Sequence, residues 1–271
     1  MAKLHVKYIS DLHLDYKTEN DKKKFLKLFN QKDTYIIAGD FYNDYRKTLI
    51  MIEQLEKMKI HGYWILGNHE YIHLNEPGNI DPSHKGKNDS HYKIESDKKY
   101  TDFLSMVIKK TSKYKYLKFL HTGLIKKIND WTIIGDTGWS SFVDAKGKKI
   151  DDYNKYEWNH VNNWKWVEKE HNKWVKFVNN TLKKYSKVII LTHHPMYFPN
   201  NNDIMNSRLK NKLPGELLFW FSNHSINVPK DKKVIFIHGH THTNAFMKNH
   251  YTNAIGRKDN EKKLEIKTLI L

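Results

Sequence analysis

Six short apolar runs recur along the chain, at His5–Ile9, Tyr35–Ala38, Tyr63–Leu66, Trp131–Gly135, Val188–Leu191 and Val234–His238, each bounded by polar or glycine-containing residues. Runs of this length are too short for helices and continuous enough to be buried on both faces, so they read as strands. Helix-like stretches at about Asp21–Asn30 and Arg46–Lys59 separate the early runs and give a β-α-β-α-β order. That order predicts a parallel sheet with helices packed on it. The longest helical candidate extends from about Tyr156 to Tyr185. Its Trp164, Val167, His171, Trp174, Val178 and Leu182 fall three or four residues apart, which predicts one apolar stripe turned to the core rather than a ligand site. Leu264–Leu271 alternates enough to form a last strand. No internal repeat or linker interrupts the 271 residues, so a single domain over 1–271 is expected, with loop excursions at about 73–93, 138–155 and 195–214.

The ends of these strands carry the chemistry. The first runs into Ser10-Asp11-Leu12-His13, the second into Gly39-Asp40 and the third into Gly67-Asn68-His69-Glu70. The Val188–Leu191 run ends in Thr192-His193-His194-Pro195, and the Val234 run in His238-Gly239-His240-Thr241-His242. An extended backbone would aim Asp11 and His13 the same way. In open α/β sheets the site lies beyond the carboxyl ends of the strands, so these five clusters are expected to converge. Each alone has a plainer reading: Asp-x-His as a capped turn, Gly-Asp as a turn, Asn-His-Glu as a helix start. Their order and shared strand-end position are what favour a site.

The set resembles the calcineurin-like metallophosphoesterases, whose pattern is D-x-H, GD, GNH[DE], a later His such as H-x-P, and GH-x-H. The resemblance spans residues 11 to 242 and implies an α/β fold, a four-layered α/β/β/α sandwich with a dinuclear metal centre at the strand C-terminal edge. Carried over position by position, it puts Asp11, His13 and His242 on one metal and Asn68, His193 and His240 on the other, with Asp40 bridging. Two divalent ions bring +4 against −2 from the two carboxylates, which leaves room for hydroxide and a phosphate. The implied reaction is hydrolysis of a phosphomonoester or phosphodiester by hydroxide held on the metals. The donor set suits Mn²⁺ first, with Fe, Zn or Ni as alternatives. His69 is implied as the catalytic residue that contacts phosphate or protonates the leaving oxygen, the plainer reading being a structural histidine. His194 and His238 stay off the catalytic list, and Trp139 reads as a buried residue at a loop turn, with stacking on a substrate ring as the alternative.

One departure bears on subclass. Phosphoprotein phosphatases of this family read GD-x-x-D-R, where the second Asp orients the catalytic His; here Asn43, Asp44 and Tyr45 precede Arg46. Either Asp44 substitutes through a shifted turn or His69 lacks that carboxylate.

Composition bounds the rest. There is no cysteine, which removes thiolate nucleophiles, iron–sulfur clusters and zinc fingers and leaves nitrogen and oxygen as metal donors. The net charge of +17 suggests a polyanion partner. Yet only Arg46, Arg208 and Arg257 are arginines, which leaves 44 of the 47 basic residues as lysine beside 26 asparagines. Arginine is the residue of base readout, so the charge reads as compositional drift with a capacity for non-specific steering of phosphates. A nucleotide or nucleic-acid substrate is the favoured class. With no apolar stretch of membrane-spanning length, a cytoplasmic protein without a membrane partner is expected. Two other readings compete: a catalytically silent scaffold that binds a protein, and a lysine-rich nucleic-acid-binding protein with incidental histidines.

Overall fold

The computed structural model describes residues 5–71, 97–141, 164–197, 202, 226–242, 248–255 and 265–271. Most of the three expected loop excursions lies outside the described residues, as do residues 156–163 at the start of the long helical candidate.

Each of the six apolar runs is a strand: β1 (His5–Ile9), β2 (Thr34–Ala38), β3 (His61–Ile65), β6 (Trp131–Asp136), β7 (Lys187–Thr192) and β8 (Lys233–His238). Four more were not expected individually or only as a tail: β4 (Leu117–Phe119), β5 (Lys126–Ile128), β9 (His250–Thr252) and β10 (Lys267–Ile270). They assemble into two five-stranded sheets, ordered β10-β1-β2-β3-β4 and β5-β6-β7-β8-β9. Strands β1 to β4 are parallel and β10 adds antiparallel to β1. In the second sheet β6 to β9 are parallel and β5 pairs antiparallel with β6. The helices are α1 (Glu19–Leu26), α2 (Tyr45–Lys57), α3 (Asp97–Thr111) and α4 (Trp164–Lys184). Thr18 caps α1 by accepting from the Asp21 amide at 3.2 Å, and Asp44 caps α2.

Side-chain alternation explains why the runs are apolar throughout. In β2, Tyr35 and Ile37 join the cluster that includes Phe25, Ile52 and Phe103 of α1, α2 and α3, whereas Ile36 and Ala38 face the other sheet. In β7, Ile189 and Leu191 meet that inter-sheet core, while Val188 and Ile190 pack on Trp174, Val178 and Leu182 of α4. Three hydrophobic seams separate four layers, helices–sheet–sheet–α4, and every central strand is buried on both faces. Val167, His171, Trp174, Val178 and Leu182 of the expected stripe are all buried. Among the described residues no helix is long and apolar enough to cross a membrane.

Candidate metal centre

The parallel strands end together, and the chain turns sharply at each end. Asp11, His13, Asp40, His240 and His242 all have φ between 43° and 68°, the left-handed region that costs an ordinary residue about 1–2 kcal/mol. Only three other non-glycine residues of the described chain share it, so the strain concentrates at the strand ends. This corrects one expectation: Asp11 and His13 converge through two left-handed turns, not along an extended backbone. The turns are held by neighbouring ones. Asp11 N donates to Gly39 O, His13 N to Asp40 O, Gly239 N to His193 O, and His240 N to Asp11 Oδ1 at 2.8 Å. The loops also touch: a Cβ on Gly67 would lie 2.0 Å from Asp40 Oδ1, and one on Gly239 would lie 2.5 Å from Asp11 Oδ2.

All seven candidate ligands are brought together. His242 Nε2 lies 3.1 Å from Asp11 Oδ1 and 3.0 Å from His13 Nε2, which is 3.7 Å from Asp40 Oδ2. On the other side of Asp40, His193 Nε2 lies 3.2 Å from Asp40 Oδ2 and 3.0 Å from Asn68 Oδ1, and His240 Nδ1 is 3.0 Å from the same amide oxygen. Asp40 is thus common to two groups. The ligand atoms of Asp11, His13 and His242 lie within 4.8 Å of one another, and so do those of Asp11, Asp40 and His193. His193 is turned toward the cluster because its Nδ1 donates to Ala38 O at 2.7 Å, leaving Nε2 to face the oxygens.

The electrostatics favour cations here. Burial opposes ionisation of Asp11, but His242, His193 and His13 outweigh it and hold the carboxyl below the usual range. Burial likewise opposes the charge on Asp40, and His193 and His13 overcome it. For His193 burial disfavours the cation, yet Asp40 and then Asp11 raise it to about 9. Asp11 Oδ2 and Asn68 Nδ2 are buried without a hydrogen-bond partner, an arrangement expensive in a cluster of protein groups alone. An N/O donor set with an unsatisfied carboxylate oxygen fits divalent metal ions.

Glu70, to which sequence reasoning gave no role, braces these turns. Its Oε1 accepts from Phe41 N at 2.7 Å and Thr48 Oγ1 at 3.1 Å, and its Oε2 from Gly67 N at 2.7 Å and Asp40 N at 3.2 Å. Burial and the Asp40 charge push its carboxyl up to about 7, against the amides of Gly67 and Phe41. The signal available was a glutamate inside an otherwise buried motif.

His69 borders the cluster. Its backbone N donates to Asp40 Oδ1 at 3.0 Å, and its Nε2 lies 3.8 Å from Asp40 Oδ2. Its Nδ1 meets Asn43 Oδ1 at 2.8 Å. Asn43 is held in turn by its backbone N on Asp15 Oδ2 at 2.6 Å and its Nδ2 on Tyr16 Oη at 3.3 Å. Asp44 points elsewhere, accepting from Arg46 N at 2.9 Å and Arg46 Nε at 3.0 Å. The residue facing His69 is therefore the amide, and Asp44 is the helix cap.

The remaining residues singled out in the sequence are packed. Trp139 is buried among Tyr71, Trp166 and His194. His194 lies behind the cluster with its ring centroid 4.1 Å from that of His240, and burial holds its imidazole down at about 3. His238 is buried beside Tyr197 and His250 and is pushed by burial to about 4.

A family model described as calcineurin-like phosphoesterase matches residues 4–244. The chain belongs to that family. The match covers all five strand-end clusters, whose buried Asp and His side chains form groups able to hold a metal ion. A comparison with curated proteins gives no match. Among solved structures, the phosphopantetheinyl hydrolase PptH from Mycobacterium tuberculosis superposes with a TM-score of 0.65 at 14% identity, over 99% of this chain and 96% of that one. At that identity the likeness speaks for the fold alone. A second solved chain, at TM-score 0.45 and 13% identity over 99% and 95% of the two chains, is too distant to argue from.

Proposed function

We propose that this chain is a phosphoesterase that hydrolyses a phosphomonoester or phosphodiester at a two-metal centre. The observation that carries the reading is the convergence of seven N and O donors into two groups sharing Asp40. Asp11, His13 and His242 would hold one ion, Asn68, His193 and His240 the other, and Asp40 both. Two divalent cations, Mn²⁺ first among them, would supply charge for the phosphoryl oxygens and a water ionised near neutral pH. His69, with Nδ1 on Asn43 Oδ1, presents Nε2 to the same space and would donate a proton there to the leaving oxygen. The amide in place of a carboxylate beside His69 argues against the phosphoprotein phosphatase subclass. The lysine-rich surface supports a nucleotide or nucleic-acid substrate, and the name of the PptH neighbour adds phosphopantetheinyl esters to the classes worth assaying.

Metal analysis of the purified chain, combined with turnover of a phosphomonoester, a phosphodiester, a cyclic nucleotide, single-stranded DNA, RNA and a phosphopantetheinyl ester, tests the reading. Two ions per chain and metal-dependent hydrolysis of at least one substrate are expected. Asp40→Ala or Asn68→Ala is expected to abolish hydrolysis while leaving the fold. Bound metal without any turnover would instead point to the scaffold, and no bound metal to a nucleic-acid-binding protein.

A further inference from the structure

A second polar cavity lies at the opposite end of the strands. It has a volume of about 300 Å³ and is lined by the entry residues of sheet one, among them His61, Tyr63, Tyr116 and Lys118, and by Lys127 from β5 of sheet two. Strand β3 alone, five residues from His61 to Ile65, separates it from the metal cluster by about 17 Å of rise. The two sheets are tied here by Tyr63 Oη, which donates to Lys127 O at 2.8 Å.

Its chemistry is one-sided. Lys115, Lys118 and Lys127 line it and no carboxylate does. The nearby acids are committed: Glu56 accepts from the backbone amides of Lys115, Tyr116 and Leu117, and Asp130 pairs with Lys187. Lys118 Nζ donates to Tyr114 O, a neutral partner, whereas Lys127 Nζ is turned to Thr132 Oγ1 at 2.8 Å and to the Tyr185 ring at 4.6 Å, so Lys115 and Lys118 are the charges offered to the cavity. His61 and Tyr116 meet edge to face with ring centroids 5.1 Å apart and form an aromatic wall. Lysines recognise phosphate as point charges without demanding bidentate geometry, and a ring wall accepts a planar group. The volume sits at the small end for ligand sites.

We propose that this cavity is a binding site for a phosphorylated, ring-bearing small molecule of mononucleotide size, separate from the metal cluster. The test is calorimetric titration of the full chain with ADP, inorganic phosphate, adenosine and a 5′-phosphorylated tetranucleotide. Asp40→Ala and excess chelator are used throughout to silence the metal cluster. Saturable ADP binding with Kd below about 1 mM is expected to survive Asp40→Ala. It should weaken at least tenfold in Lys115→Gln/Lys118→Gln, in which an exposed and a half-buried lysine lose their charge outside the hydrophobic core. His61→Ala should weaken ADP but not phosphate. The proposal is overturned if ADP fails to saturate, if the lysine double variant binds it as tightly as the parent, or if adenosine binds as well as ADP. It is also overturned if the tetranucleotide binds more than tenfold tighter than ADP, which would make the groove a nucleic-acid surface.

Discussion

Replacing Asn43 by leucine removes the support given to His69. The substitution keeps size and leaves the backbone bond of residue 43 to Asp15, but deprives His69 Nδ1 of its 2.8 Å acceptor and Tyr16 Oη of its 3.3 Å donor. Removing one partner of a buried hydrogen bond costs about 1–3 kcal/mol, an upper range for this half-buried one. If that loss is felt when His69 Nε2 gives up its proton, it corresponds to roughly a 5- to 150-fold fall in kcat. The fall should depend on the leaving group. An alkyl phosphoester, whose leaving oxygen needs a proton, should lose the full factor; a 4-nitrophenyl ester, whose leaving group departs as a stable anion, should lose no more than about threefold, because general-acid assistance has little left to give. Asn43→Asp supplies a stronger, charged acceptor in the same position and should retain the alkyl-ester rate. Steady-state kinetics on the two esters, with metal content measured in parallel, checks this. Equal losses on both esters would mean that Asn43 acts through the fold, and no loss on either would remove it from the reaction.

His69→Ala should keep both metals, measured by mass spectrometry of the desalted protein, and slow turnover by about 10²-fold or more; a fall in metal content would make His69 a ligand, as its place within 4.8 Å of the His13 and Asp40 donor atoms allows. Gly67→Ala would set a Cβ 2.6 Å from Asp40 N, so it should lower metal affinity with little change in far-UV circular dichroism, and unaltered affinity would mean that the two turns slide freely. Burial and then His238 push His250 down to about 2 while its ring stacks on Phe236 and meets Tyr197. Its neutral form therefore stabilises the fold above the unfolded value of about 6.5, and that stability is lost as pH falls toward 2 because the unfolded chain takes the proton first. His250→Phe should flatten the decline of Tm between pH 6.5 and 4 relative to the parent, and parallel Tm curves would show that His250 is not kept neutral.

Strands buried on both faces were legible because no polar residue interrupts Ile36–Ala38 or Val188–Leu191. The three-residue strands β4 and β5 were not, since Lys118, Lys126 and Lys127 break the apolar signal and pairing with longer neighbours supplies the stability. Helix α3 escaped although Tyr100, Phe103 and Val107 follow helical spacing and are buried. The seven candidate ligands converge at the strand ends as their order suggests, but Asp11 and His13 do so through left-handed turns, because φ cannot be read from D-x-H. The question left open between Asn43 and Asp44 had an answer in the sequence. An Asp directly before an apolar-periodic segment is an N-cap signature, and a residue capping α2 cannot also face His69.

The strand-end residue types carry two meanings that coincide. Asp, Asn and His are the non-glycine residues most tolerant of the left-handed region, and they are also hard and borderline metal donors. A parallel strand that must stop and turn at a crowded sheet edge therefore selects, for backbone reasons, side chains that bind cations. Convergence of several such turns then brings carboxylates close together, the donor atoms of Asp11 and Asp40 lying within 4.8 Å of each other. Buried like charges are tolerable only if cations sit between them. In the described chain the neighbouring carboxylates raise His193 toward its cationic form, to about 9, and divalent ions would take over the same task with the histidines as neutral ligands. The convergence that makes these buried carboxylates costly on their own is what lets the edge hold metal ions.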